Sequence, residues 1–241
     1  MEWLSTGVLI GYKNSPAGAN YPSDAMKASI VDAVDRACRI MRKANDEFAA
    51  VVLLRKKESP LFQQVLDTHF GLIDGDTSGG YISDNEVNKP FSARAVFQKD
   101  RRWVLEKIRR NMLSLSFHLN TGVYLIDIDA DNRDQKLGKV VAPGTITALG
   151  YVAPEKTSID PNTWRTTATR WGSGITCGFR HGWIHVSFQR HLAFSPISYA
   201  QTIIHEATHK YLNTEDHAYA DDPTYFTLSL ADTLENADSY A

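Results

Sequence analysis

Apolar residues recur every three or four positions through Met26, Ile30, Val34, Cys38 and Met41, the stripe that an α-helix turns toward a core. Ser23 stands ahead of them as a cap, so a long amphipathic helix is predicted to begin there. Ser59 followed by Pro60 opens a second helix, with Leu61, Phe62, Val65 and Leu66 predicted inward and Gly71 just past its end. A third is predicted from Ser92 to about Leu119. Within it Arg101, Arg102, Lys107, Arg109 and Arg110 are interleaved with Trp103, Val104, Leu105 and Ile108, and the basic residues read as a solvated helix face. From Gly122 to Phe188 strand formers dominate: Val123-Tyr124-Leu125-Ile126, Thr145-Ile146-Thr147-Ala148-Leu149, and Gly182 through Phe188. The last run alternates, with Trp183, His185 and Ser187 on one side and Ile184, Val186 and Phe188 on the other. It is expected to be the edge of a small mixed sheet. Ser195-Pro196 then opens a helix that turns Ala200, Ile203 and Ile204 inward and stops at Asn213, and a closing helix is expected from Asp222-Pro223 toward Asn236. Residues 1–22 read as an extended lead-in and 23–241 as a single domain. The order of elements is α+β, mostly helical with a small mixed sheet.

Within the fourth of these helices lies His205-Glu206-Ala207-Thr208-His209, an HExxH pattern. Residues four apart project from one face of a helix, so both imidazoles can bind one Zn²⁺ while Glu206 reaches a water on the metal. Zinc brings the pKa of such a water to about 7, and a carboxylate that takes its proton yields a nucleophile able to attack an amide carbonyl. A catalytic zinc needs a third protein ligand and an open fourth position. Asp216, His217 and, from the closing helix, Glu235 are the candidates.

The segment Asn213-Thr214-Glu215-Asp216-His217-Ala218-Tyr219 resembles the Gly-Thr-x-Asp-x-x-Tyr signature that follows HExxH in the aspzincins, the deuterolysin-like metallopeptidases. Thr214, Asp216 and Tyr219 match, and Asn213 stands where the family has glycine, a position it can fill by turning left-handed. Asn236-Ala237-Asp238-Ser239-Tyr240 is similar to the family's Asn-Ala-Asp segment. Tyr151-Val152-Ala153-Pro154 is similar to its Tyr-Val-x-Pro stretch before the edge strand. The resemblance spans roughly 23–241, with its specific motifs in the last third. It implies a zincin-like fold, one zinc on His205, His209 and Asp216, Glu206 as general base, and Tyr219 donating its hydroxyl to the oxyanion. Some family members prefer lysine after the scissile bond, using acidic residues of the Asn-Ala-Asp segment. Asp238 matches one of these, while Ala241 occupies the place of the second. His185, on the expected edge strand, is a further candidate for substrate contact.

Composition narrows the remaining classes. A net charge of −2 gives no electrostatic drive toward nucleic acid, and no apolar run is long enough for a membrane helix. The expected partner is a protein or peptide substrate, bound by a monomer. No export signal opens the sequence, which leaves the compartment unassigned and delivery by a specialised route, as an effector or toxin, open. Cys38 and Cys177 read as buried small hydrophobes. Asp127-Ile128-Asp129-Ala130-Asp131-Asn132 begins like a calcium loop, but Gly138 stands where the bidentate glutamate belongs, so it reads as a polar turn. A catalytically inactive zinc-binding interaction domain is the alternative reading. Against it, neither Glu206 nor Tyr219 is needed merely to hold metal.

Overall fold

The structure, a computed structural model, describes residues 2–12, 22–72, 101–128, 149–152, 170–171, 175–176 and 184–241. It is α+β, mostly helical with a small mixed sheet. The chain divides into two compact units: Met1–Ile40 with Leu115–Asn213, and Met41–Ser114 with Thr214–Ala241.

The first unit is built on a five-stranded sheet of order β1-β2-β3-β7-β4. β1 (Glu2–Ser5) and β2 (Val8–Gly11) form an antiparallel pair, and β2 runs parallel to β3 (Val123–Asp127). The segment expected as a lead-in outside the domain therefore supplies two strands. Val8 and Ile10 are buried, and that burial is what draws the short segment into the sheet. β3 pairs in parallel with β7 (Ile184–Val186), and β7 pairs antiparallel with β4 (Gly150–Val152). β7 is thus internal, and among the described strands β4 is the outermost on that side, which corrects the edge position expected for 182–188. Ile184 through Phe188 are all buried, so the alternation in that run does not separate a wet face from a dry one. β5 (Arg170–Trp171) and β6 (Ile175–Thr176) form a separate two-stranded ribbon.

Helix α1 (Asp24–Val52) starts at Ser23, whose hydroxyl accepts from the Met26 N–H at 3.3 Å. Ile30, Val34, Ala37 and Met41 are its buried stripe. The Cys38 thiol donates to the Leu119 carbonyl at 3.4 Å, while Cys177 lies outside the described residues. Helix α3 (Arg101–Thr121) buries Val104, Leu105, Ile108, Met112, Leu115 and Leu119. On it Glu106 bonds Arg109 and Arg110, which hold its carboxyl down at about 2. The expected start of this helix at Ser92 lies outside the described residues, as do residues 145–148, His181 and most of the calcium-like loop. Asp127 of that loop is fully buried and accepts from the Phe188 N–H at 3.2 Å, an anchoring role within the first unit.

In the second unit α2 (Pro60–Phe70) is capped by Ser59 and ended by Gly71 in the left-handed region, as its sequence predicts. Phe62, Leu66 and Phe70 face inward, but Leu61 and Val65 are exposed. Each precedes an inward residue by one position, and that step of about 100° takes it off the stripe. The expected single closing helix is broken: a 3₁₀ turn over Pro223–Thr227 ends before α5 (Leu230–Glu235) restarts at the Ser229 cap. α5 packs on α2, and the Tyr240 ring meets Phe70 edge-on. Tyr240 also accepts from Asn111 Nδ2 at 2.7 Å and donates to the Leu234 carbonyl at 3.0 Å, so the chain end is tied into the unit's core. Among the described residues no helix is long and apolar enough to cross a membrane.

Candidate metal centre

Helix α4 (Pro196–Leu212) carries the HExxH residues. Ser195 caps it, accepting from the Ser198 N–H, and Pro196 sets the first turn. Ala200, Ile203, Ile204 and Ala207 have no exposed surface, and the helix packs on β4 and β7. That apolar face fixes the rotation of the helix, and with it the direction of His205 and His209. Burial also reaches the end of the helix: it pulls the Lys210 ammonium down to about 8 and pushes the Tyr211 phenol up to about 12. The Tyr211 ring lies flat on His118, with centroids 4.3 Å apart. Asn213 ends the helix at φ 57°, ψ 39°, the left-handed conformation expected of a residue in glycine's place.

The two imidazoles face each other. His205 Nε2 and His209 Nε2 are 3.1 Å apart, with ring planes at 83°. Two nitrogens on one tetrahedral zinc, each at ~2.0–2.1 Å, sit about 3.3 Å apart, so the pair is close to the spacing a shared ion requires. The carboxylate of Asp216 joins them: ligand atoms of His205, His209 and Asp216 all lie within 4.8 Å of one another. This group could hold a metal ion. Two imidazole nitrogens and one carboxylate oxygen form a donor set that zinc and other divalent first-row metals accept. His217 and Glu235, the rival third ligands, belong to no such group among the described residues.

Glu206 is 4% exposed and its side chain lies against the backbone of β4. A Cβ at Gly150 would stand 2.7 Å from Glu206 Oε1, 2.8 Å from Cγ and 3.0 Å from Cδ. The missing side chain at 150 is what makes room for the carboxylate. Tyr219 is exposed, and its hydroxyl donates to Asp216 Oδ2 at 3.4 Å.

The remaining expected site residues are placed differently. His185 is 4% exposed and stacked on Tyr151, with centroids 4.5 Å apart and planes within 7°. Its strand is paired on both sides, with β3 and β4, so the expected edge-strand position is corrected. The Asp238 carboxylate accepts from the Ala220 N–H at 2.7 Å and so holds the chain just beyond Tyr219.

Sequence reasoning gave no role to Gly150 or Asn236. Gly150 opens the Tyr151-Val152 strand without a turn signal. The partners of Asn236 lie 18 and 19 residues upstream, beyond any local pattern. Searched against protein-family models and against curated proteins, the chain has no match.

Proposed function

We propose that the chain is a zinc-dependent endopeptidase with a zincin-like, deuterolysin-like site. The observation that carries this reading is the group of His205 and His209, on a helix that also buries Glu206, with Asp216 beyond its end, the ligand atoms of all three lying within 4.8 Å of one another. His205, His209 and Asp216 would hold the ion. Zinc bound there would supply Lewis acidity, acidifying a water and polarising the scissile carbonyl.

The chain's own residues do the rest. Glu206 takes the proton of the attacking water and returns it to the leaving amine, a role that favours a carboxylate held in one place. Tyr219, whose hydroxyl now rests on Asp216, has a donor to offer the oxygen on which charge develops. An extended peptide would add beside β4, the outermost described strand on that side of the sheet, and not beside β7, which is paired on both sides. One oxygen of the Asp238 carboxylate accepts from the Ala220 N–H, and the reading assigns this residue to holding the segment and not to a lysine preference.

The test combines metal analysis of the purified chain with digestion of casein. A single zinc per chain is expected, with cleavage abolished by a chelator and restored by added zinc. Zinc without cleavage would leave the inactive zinc-binding domain in its place. A chain that neither holds nor responds to zinc ends both readings.

A further inference from the structure

Asn236 is fully buried in the second unit, and its side chain is spent on a stretch of chain far upstream. The carboxamide oxygen accepts from the N–H groups of His217 (2.9 Å) and Ala218 (3.2 Å), while the nitrogen donates to the Ala218 carbonyl (3.0 Å). Only one orientation of the amide satisfies all three, since turning it over would set its NH₂ against two further donors. The backbone on either side joins in. Glu215 N–H donates to Glu235 O at 2.8 Å, Ala237 N–H donates to Glu215 O at 3.0 Å, and Asp238 takes the Ala220 N–H at 2.7 Å.

Every one of these bonds lands on residues 215–220, the stretch that holds Asp216 and Tyr219. Apart from a single bridge between Glu215 and Asn236, that stretch has no helix or ladder of its own. An irregular exposed segment of this kind ordinarily samples many backbone conformations, and fixing each residue costs on the order of 1–2 kcal/mol of entropy. Buried amide partners that cannot be traded for water supply the restraint.

We infer that Asn236 is a positioning residue of the metal site: by clamping the backbone of His217 and Ala218 it sets where the flanking side chains of Asp216 and Tyr219 point. The inference rests on the reading of Asp216 as a ligand. It requires an amide in particular. An aspartate keeps the two acceptor contacts but sets a second oxygen against the Ala218 carbonyl, and an alanine leaves all three groups without the side chain.

The experiment measures zinc affinity by competition with a chromogenic chelator, for the wild type and for Asn236→Ala, Asn236→Asp, Asp216→Ala and the two double variants. Amide hydrogen exchange at His217 and Ala218 is followed in parallel. Asn236→Ala should weaken zinc by roughly 10- to 100-fold, as removing a supporting shell does, and Asn236→Asp by less. Neither should weaken it further once Asp216 is alanine, because a clamp that acts through Asp216 has nothing left to position. Equal weakening in both backgrounds, or none in either, overturns the inference. If Asn236→Ala does not fold, Asn236→Asp carries the same comparison. A wild type that binds no zinc overturns the metal reading alone. Exchange then decides the clamp: slow in the wild type and fast in Asn236→Ala supports it, and the same rate in both sinks it.

Discussion

On α4 the directions of His205, Glu206 and His209 follow from the helix itself, whose apolar face is packed and whose ends are capped by Ser195 and Asn213. On residues 214–220 no repeating backbone geometry sets Asp216 and Tyr219, and the segment is held instead by side-chain and backbone partners from 235–238. Both regions serve the same candidate metal group. A helix needs only correct local spacing to aim two side chains, whereas an irregular segment needs a buried polar partner brought from elsewhere in the chain. The first is robust to most single changes on its wet face. The second concentrates its dependence on very few residues, with Asn236 first among them.

The largest effect should come from the helix half. Glu206→Gln preserves volume and leaves the three ligands in place, so zinc content should be unchanged while turnover falls by roughly 10²- to 10⁴-fold, the usual weight of a positioned acid–base group. Steady-state rates on a peptide substrate, read against bound zinc, check it. A Glu206→Gln variant that still cleaves at the wild-type rate would remove the general base and with it the mechanism.

Next in size is a change outside the motif. Gly150→Ala puts a methyl group 2.7 Å from where Glu206 Oε1 lies, so the carboxylate or the edge strand must shift. A displacement near 1 Å costs on the order of 10²-fold in rate, and the loss should appear in kcat while zinc stays bound. Thermal melting gives an independent reading. Gly150→Ala should lower the midpoint in the wild type but not in a Glu206→Ala background, where the crowded side chain is gone. Equal destabilisation in both would show that β4, and not Glu206, objects to the methyl group.

Asp238→Ala sharpens the loop half. Losing the acceptor for the Ala220 N–H should cost about 1 kcal/mol of stability, as the loss of a comparable cap does. The residue preferred after the scissile bond should not change. Sequencing the cleavage products of a denatured protein tests the latter, and a lysine bias that vanishes in Asp238→Ala would return this carboxylate to the substrate.

What could be seen in the sequence divides along the same line. The α+β class, the Ser59 and Gly71 ends of α2, the stop of α4 at Asn213 and the shared face of His205 and His209 all rest on local spacing, and local spacing is printed in the chain. The role of the first strands was not visible, because Val8 and Ile10 become core only when β2 lies beside β3, more than a hundred residues away in sequence. His185 was misplaced for the same reason: alternation in 182–188 is a property of one strand, whereas being an edge is a property of the whole sheet. The closing helix was drawn too long because Leu228 and Ser229 carry no proline or glycine. Ser229 was free to act as a second cap, and its hydroxyl accepts from the Asp232 N–H at 3.2 Å. Asp216 could be picked out only through resemblance, since nothing near it in sequence reveals the hold of Asn236.

The smallest expected effect is one of pH, and it again separates the two regions. His69 Nδ1 lies 2.8 Å from the Tyr225 hydroxyl, which also reaches the Asp238 carbonyl at 3.4 Å, so the imidazole backs the segment that supports the loop. Burial of the ring holds His69 below the ordinary imidazole value, against a weaker upward pull from the Asp238 carboxylate. A histidine whose folded pKa is depressed binds its proton more readily when unfolded. Its contribution to stability is therefore present above the unfolded value, near 6.5, and is lost as pH falls through that value and then the folded one. Amide exchange at His217 and Ala218 should quicken modestly between pH 7 and pH 5, after correction for intrinsic rates, while amides in the middle of α4 should not follow. His69→Phe, which fills much the same space without titrating, should flatten the trend. If the slope persists in that variant, the acid sensitivity of the loop belongs to another group, and the support for Asp238 does not run through Tyr225 and His69.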